Sequence, residues 1–378
     1  MKILIAPDKF KGSLTAEEVC DAIASSLKEC DSSLTIQSLP LADGGEGTCA
    51  LLTNHSGGKI ITASVSDPLF RMIKAQYGIS ADGKTAFMEM AQASGLHLLT
   101  KEERNPLLTS SFGTGELITD ALDRGVTTII LGIGGTATSD AGMGAAEALG
   151  FQFFDQHKNR LKPVGENLQH IYSIDHSRKH PRCNDVTCIV LCDVNNPLHG
   201  PEGAAYIFAP QKGANAEAVQ ILDKGLQNID AKLSAHFNVK SDFPGAGAAG
   251  GIAVLIRTIM PTEIRSGFKF ISDFTNLEAH IINADVVITG EGTIDSQTLS
   301  GKVVNGITAL ARQHKKPVFA IAGKCDLDKK TLRDEGISDV IQLVKNEVTT
   351  AGAMKNAFSL LKTRCREDLF PLLKALQI

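Results

Sequence analysis

Four segments of the chain place charged residues and glycines directly after an apolar run and before the start of a helix. They are PDKFKGS (7–13), ADGGEGT (42–48), GIGGTATSDAGMG (132–144) and TGEGTIDSQT (289–298). Because glycines let several backbone N–H groups converge and a helix N-terminus adds partial positive charge, each segment suits a phosphate group. Each segment also carries an acidic residue, and carboxylates can hold the Mg²⁺ that accompanies a polyphosphate. The sequence therefore predicts an enzyme that handles phosphates.

These glycine segments do not by themselves identify the reaction. A single glycine turn after a strand is most often only a turn, whereas four such segments, each with an acid, favour a binding function. The chain contains neither a Walker A motif nor a six-position dinucleotide fingerprint, and GIGGTA (132–137) matches the fingerprint only loosely. The residues alone leave a kinase and an oxidoreductase open.

The composition is that of a globular protein and argues against several functions. Of 378 residues, 43% are hydrophobic and 21% are charged, and the net charge is −4. No basic block is present, so we expect no nucleic-acid partner. No stretch approaches the roughly 20 apolar residues of a membrane helix, and Asp8 and Lys9 interrupt the N-terminal apolar run that a signal peptide needs. Eight cysteines without a secretory signal indicate reduced thiols in a cytoplasmic protein.

The order of elements predicts an α/β fold with a parallel sheet. The apolar run 2–6 precedes a helix that starts with a capping-box pair, Thr15 and Glu18, and a second strand follows that helix. The C-terminal quarter repeats this alternation after a second capping-box pair, Thr275 and Glu278. We expect a doubly wound, Rossmann-like sheet with ligands at the carboxyl ends of its strands.

The middle of the chain follows a different pattern. Residues 59–90 form short alternating segments around a turn, as in antiparallel hairpins. We therefore predict a discontinuous Rossmann-like domain from 1–65 and 282–378, with 66–281 as an inserted mixed α/β domain. The active site is expected in the cleft between these two domains.

Seven motifs occur in the order APDKFKGSLTA, PLADGGEGT, RNPLLTSSFGTGEL, LGIGGTATSDAGMG, CDVNNPLHGPEGAA, FAPQKGA and VITGEGTIDSQTLSGK. Together they resemble the bacterial glycerate kinase family over nearly the whole chain. The resemblance implies a Rossmann-like domain with an inserted mixed domain. It also implies that ATP, with Mg²⁺, phosphorylates D-glycerate to 2-phosphoglycerate. Lys9, Asn195 and Thr293 depart from the family pattern, and we assign them no essential role.

The resemblance also suggests roles for the residues that match its motifs. Asp193 is the candidate base or orienting group for the attacking hydroxyl, and Lys11 is a catalytic cation. Arg104 is expected to hold the glycerate carboxylate through two parallel bonds. The other substrate-binding candidates are Asp8, Ser111 and Thr114. The phosphate or nucleotide candidates are Gly44, Gly45, Gly47, Gly134, Gly135, Thr136, Asp140, Gly290 and Lys302, and the metal candidates are Asp43, Glu291 and Asp295.

Each of these assignments has an alternative in which the residue has no functional role. Asp193 could only form a turn, the lysines could be solvated, and Arg104 could be an ordinary surface residue. The alternative functions are a kinase that forms 3-phosphoglycerate, a nicotinamide-dependent dehydrogenase of a small hydroxy acid, and a non-catalytic sugar-acid sensor. The expected partners are ATP and D-glycerate, and we also allow for a homodimer.

Overall fold

The computed structural model describes residues 1–296, 298, 303–345 and 348–376, in which strands and helices alternate. The strands are β1 (Lys2–Ile5), β2 (Thr35–Ser38), β3 (Lys59–Ser66), β4 (Met72–Ile79), β5 (Thr85–Glu89), β6 (Thr128–Gly132), β7 (Gln152–Phe154), β8 (Ser173–Asp175), β9 (Thr187–Leu191), β10 (Thr262–Arg265), β11 (Val286–Ile294), β12 (Val318–Cys325) and β13 (Ile337–Gln342). The helices are α1 (Ala16–Cys30), α2 (Thr48–His55), α3 (Ala91–Ser94), α4 (Phe112–Asp123), α5 (Met143–Ala148), α6 (Ala204–Phe208), α7 (Ala216–Phe237), α8 (Ile252–Ile259), α9 (Gly267–Phe274), α10 (Leu277–Asn283), α11 (Val303–Gln313), α12 (Lys329–Asp334), α13 (Thr350–Lys355), α14 (Ala357–Arg364) and α15 (Phe370–Ala375).

The chain divides into two compact units. Unit 1 consists of Met1–Asp43 and Phe268–Ile378, and unit 2 consists of Gly44–Gly267. Both boundaries lie earlier than the predicted boundaries near 66 and 282. The first boundary lies before α2 because α2 packs on β4 and β5 of unit 2. The second boundary lies before Phe268 because this residue of α9 packs against α11 of unit 1.

Unit 1 is a doubly wound parallel sheet, as the sequence predicts. Its strands lie in the order β13-β12-β11-β1-β2, and all four pairings are parallel. Side chains of α1 and α14 join the core on one face, and side chains of α11 and α12 join the core on the other. The strand order reverses between β1 and β11, and this is the point at which sheets of this kind bind ligands.

Unit 2 is a mixed α/β structure. Its main sheet has the order β10-β9-β6-β5-β4-β3, in which β3, β4 and β5 pair antiparallel and the strands from β5 to β10 pair parallel. The antiparallel part coincides with the hairpins expected at residues 59–90. The carboxyl ends of β5, β6, β9 and β10 therefore meet at one edge of this sheet.

The two predicted capping boxes have different outcomes. Thr15 and Glu18 form the expected reciprocal pair, which satisfies backbone N–H groups at the start of α1. Thr275 does not cap α10, because its hydroxyl donates to the carbonyl of Ile271 and Asn276 takes the N-cap position. A hydroxyl already bonded within the preceding helix is not available as a cap.

Two further observations bear on the class of protein. Among the described residues, no helix combines the length and the apolar character that crossing a bilayer requires. All eight cysteines are free thiols, and burial raises the pKa of most of them. For Cys188, on β9, burial raises the thiol pKa to about 12. The thiols that burial affects in this way are poor nucleophiles and poor metal ligands at neutral pH.

Candidate active site

The segment 7–13 lies at the point in unit 1 where the strand order reverses. The backbone N–H of Asp8 donates to the carbonyl of Gly290 at 2.8 Å, which carries the chain out of β1 alongside β11. A Cβ atom built on Gly292 would lie 3.3 Å from the backbone nitrogen of Lys11. The structure thus brings together two of the predicted segments, with Lys11 exposed beside the end of β11.

Asp8 is a buried acid of this edge, and its pKa is strongly perturbed. Asp8 is only 8% exposed. Burial raises its carboxyl pKa from 3.8 to about 6, and repulsion from Asp43 contributes to the same shift. Lys9 opposes this shift, since its ammonium lies 3.7 Å from an Asp8 oxygen and its backbone N–H donates to that oxygen. A carboxyl group held near neutral pKa is typical of functional sites.

The predicted metal ligands fit only part of a magnesium site. Among the residues that the structure describes, no group of three or more His, Cys, Asp or Glu side chains is arranged to hold a metal. Mg²⁺ commonly uses one or two carboxylates together with substrate phosphates. Asp43, close enough to Asp8 to raise its pKa, meets that lower requirement, and a cation beside the pair would relieve their repulsion.

The other predicted residues of this edge lie in β11 or follow it. Glu291 lies in β11 itself, where its backbone is in register with Ala322 of β12. Asp295 forms a local turn, in which its carboxylate accepts from the backbone N–H of Thr298 at 3.3 Å. Lys302 lies outside the described residues. Gly290 permits close strand packing, since a Cβ there would lie 2.2 Å from the carbonyl oxygen of Ile321.

At the carboxyl edge of the unit 2 sheet, two predicted glycine segments meet. A Cβ on Gly132 would lie 2.6 Å from the carbonyl oxygen of Gly44, and a Cβ on Gly134 would lie 3.4 Å from the Cα of Gly45. The first distance leaves no room for a side chain. Gly47, with φ of +93°, is the N-cap of α2. The part of the predicted phosphate segment 42–48 that begins at Gly44 therefore lies beside the segment 132–144, and together they form a glycine neighbourhood.

Glu89 is a residue of this neighbourhood that sequence reasoning missed. It ends β5, is buried, and accepts from the backbone N–H of Cys49 at 2.9 Å. A carboxylate at the start of α2 is favoured by the helix dipole, and here it satisfies a backbone N–H of the first turn of that helix. The acid lies 40 positions from the helix that it caps, so no local motif indicates it.

Asp140, a predicted phosphate or nucleotide residue, makes its hydrogen bonds inside the fold. It is fully buried, and its oxygens accept from the backbone N–H and the hydroxyl of Ser111 and from the N–H groups of Gly142 and Gly144, at 2.7–3.2 Å. Burial raises its carboxyl pKa, and these bonds lower it. The Ser111 hydroxyl also accepts from Ala145 N–H at 3.0 Å. The hydroxyl that was predicted to bind substrate therefore bonds to residues of the fold itself.

Asp193 follows β9 and is exposed. One carboxylate oxygen accepts from the backbone N–H of Gly267, the first residue of α9, at 3.0 Å. A Cβ on Gly44 would lie 3.0 Å from the Cα of Gly267, which places this region beside the glycine neighbourhood. The geometry is that of a helix cap, and it leaves the predicted catalytic role open.

Two predicted substrate residues lie elsewhere in unit 2. Thr114, in α4, is buried and its hydroxyl bonds the hydroxyl of Ser94 at 2.7 Å. Arg104 is partly buried, and its Nε has no hydrogen-bond partner among the described residues. Its backbone contacts the turn at Gly213, where a Cβ would lie 2.1 Å from the Arg104 carbonyl oxygen. Gly213 directly follows Lys212 in the chain.

A comparison with protein-family models decides the family. The model described as "Glycerate kinase family" matches residues 3–372. The chain belongs to the glycerate kinase family. The resemblance carried by the seven motifs is confirmed, and so is the α/β fold class. Members of this family are kinases, so the protein is an enzyme that transfers a phosphoryl group to an alcohol.

Similarity to individual members of the glycerate kinase family extends over nearly all of the chain. It is 44% identical over 360 residues to a glycerate 2-kinase of Escherichia coli K12, covering 95% of this chain and 93% of the relative. It is 46% identical over 346 residues to a glycerate kinase of Haemophilus influenzae, covering 91% of each. A crystal structure of a protein assigned as glycerate kinase 2 from Salmonella typhimurium LT2 superposes with a TM-score of 0.87. That protein is 41% identical, and the match covers 100% of this chain and 99% of the other.

Proposed function

We propose that the protein transfers the γ-phosphoryl group of ATP to the 2-hydroxyl of D-glycerate, in the cytoplasm, and forms 2-phosphoglycerate. The observation that carries the proposal is the 44% identity, over 95% of the chain, to a relative named for phosphorylation at that position. The fold supports it, since both sheets gather glycine segments and ionisable groups at the carboxyl ends of parallel strands.

Phosphoryl transfer requires positioning and charge neutralisation more than covalent chemistry. In this proposal Lys11, exposed beside the end of β11, supplies positive charge to the transferring group. Asp193 orients the attacking hydroxyl and accepts its proton through the carboxylate that also contacts Gly267 N–H. Mg²⁺, when bound, neutralises phosphate charge, and Asp43 is the carboxylate that would help to hold it.

Substrate selection in this proposal depends on Arg104. Its guanidinium Nε is buried and has no bonding partner in the part of the chain that the structure describes. A buried donor without a partner is costly, and a bound carboxylate would satisfy it with charge-assisted bonds. We expect the acid group of glycerate to be that carboxylate.

A coupled assay of ADP release tests the reaction. With ATP and Mg²⁺, D-glycerate should stimulate ADP release well above the ATP-only rate, whereas L-glycerate, glycolate and glycerol should stimulate it less. The absence of stimulation by any hydroxy acid would overturn the kinase proposal. Quenching of NADH fluorescence would favour the dehydrogenase, and thermal stabilisation by glycerate without turnover would favour a sensor.

Gel filtration with light scattering measures the oligomeric state. The homodimer stays a prediction, and a single species of 40.2 kDa, the mass of one chain, would contradict it.

A further inference from the structure

A lysine that the proposed mechanism does not use lies in the interior of unit 2. Lys212 follows α6 in the motif FAPQKGA and is only 2% exposed. Its ammonium group donates to the backbone carbonyl of Thr138 and, at 3.3 Å, to the hydroxyl of Thr136. Both partners belong to the segment that follows β6.

The segment Thr136–Asp140 needs support from outside itself. All five of its residues are buried, yet the hydroxyl groups of Thr138 and Ser139 have no hydrogen-bond partner among the described residues. At one end, Asp140 is held by four bonds, two from Ser111 just before α4 and two from the N–H groups of Gly142 and Gly144 at the start of α5. At the other end, Lys212 supplies the two bonds described above. The ammonium bonds Thr136 and Thr138 themselves, while Ala137 between them accepts from the Thr109 hydroxyl and donates to the Ser94 carbonyl. Lys212 is therefore one of several groups that tie this segment to the rest of unit 2.

A charge in this position is destabilising in itself, because burial removes the hydration of the ammonium and only its hydrogen-bond partners offset that loss. Burial lowers the Lys212 pKa to about 8, and the field of Asp140 acts in the opposite direction. The charged group that acts on the Lys212 ammonium is Asp140, on the segment itself. A neutral side chain of similar length would fill the space without this loss of hydration. The presence of a charge therefore indicates a functional role.

We propose that Lys212 is a positioning residue for phosphoryl transfer, which holds Thr136 and the adjoining Gly134–Gly135 turn in the conformation that the bound substrates require. This inference rests on the proposed kinase activity. Lys212 acts through Thr136 and Thr138 rather than on the reacting atoms. A displacement of about 1 Å in a substrate-positioning element can lower a rate by about 100-fold.

The test compares Lys212→Met with the matched surface variant Lys224→Met, an exposed lysine of α7. The wild-type enzyme is assayed first, so that a missing kinase activity is recognised as a failure of the proposed function itself. At a temperature where circular dichroism shows both variants folded, Lys212→Met should lower kcat/KM by about 100-fold. Lys224→Met should match the wild type. Wild-type kcat and KM in folded Lys212→Met would overturn the proposal, because a purely structural lysine changes only the folded fraction.

The pH profile of the wild-type enzyme gives a second readout that does not depend on any variant folding. If the charged ammonium holds the segment, kcat should fall reversibly above pH 8, with an apparent pKa near the Lys212 value of about 8 and unchanged circular dichroism. Lys212→Arg, whose guanidinium stays charged, should retain activity above that pH. A wild-type kcat that stays constant up to about pH 10 would overturn the proposal.

Discussion

Replacing Asp8 with asparagine should stabilise the protein and impair its activity at the same time. Asp8 is 8% exposed, its carboxyl pKa is raised to about 6, and burial and Asp43 both disfavour its charged form. Asparagine keeps an oxygen that can accept from the backbone N–H of Lys9, the bond that Asp8 makes at 2.7 Å. It removes the buried negative charge.

The size of the gain follows from linkage between protonation and folding. The folded-state pKa of about 6 lies above the ordinary value of 3.8, so the folded protein holds this proton more tightly than the unfolded chain does. The stability that this proton contributes is fully present below the unfolded pKa and is lost as the pH rises through the folded value. The difference amounts to about 3 kcal/mol at pH 8 and about half of that at pH 5, and Asp8→Asn recovers it.

The assay is chemical denaturation at pH 5 and pH 8, followed by circular dichroism without nucleotide or divalent metal. Asp21→Asn, an exposed aspartate of α1, is the control and should change stability little at either pH. In kinetics, Asp8→Asn should lower kcat/KM for D-glycerate by about 10-fold to 100-fold, the effect of losing a hydrogen bond to a charged group. Equal stability of Asp8→Asn and wild type at pH 8 would refute the electrostatic reasoning. Full activity of the stabilised variant would remove Asp8 from the site.

Two further predictions concern the proposed catalytic groups. Asp193→Asn retains an oxygen for Gly267 N–H, so it should fold normally but lose at least about 100-fold in turnover, with a nearly unchanged KM for glycerate. Steady-state kinetics at two Mg²⁺ concentrations, with a thermal melt as control, measure this, and near-normal turnover would leave Asp193 as a helix cap only. Lys11→Ala should lose most activity, whereas Lys9→Ser should stay active at pH 8. Because Lys9 lowers the pKa of Asp8, Lys9→Ser should also move the acid limb of the pH profile to higher pH. Rate profiles over pH that rank the two variants in the opposite order would contradict this assignment.

Local patterns predicted the elements of the fold better than its boundaries. The reciprocal bonds of Thr15 and Glu18 involve residues three apart, so sequence spacing is enough to identify them. The second capping box was wrong because the Thr275 hydroxyl bonds the Ile271 carbonyl instead, and because Glu278 has a distant partner. Glu278 bonds His314 at 2.8 Å, across 36 positions of the chain, and such tertiary partners leave no local pattern.

The candidate site shows the same limit. The position of the glycine segments and of Asp8 was predictable, because strand ends followed by glycine and charge meet at the edges of parallel sheets. The roles of Asp140 and Glu89 were not, since the carboxylate of each is engaged by N–H groups from other parts of the chain. Lys212 lies in a motif that carried the family resemblance, but only its burial distinguishes it from a solvated lysine.

The most direct test of the central claim is the identity of the phosphorylated product. Wild-type enzyme is incubated with ATP, Mg²⁺ and D-glycerate, and the product is identified by ³¹P and ¹³C NMR against authentic 2- and 3-phosphoglycerate. The proposed function predicts 2-phosphoglycerate in a one-to-one ratio with ADP. Clean 3-phosphoglycerate would contradict the position of phosphorylation, and the absence of any phosphoglycerate would contradict the proposed function itself.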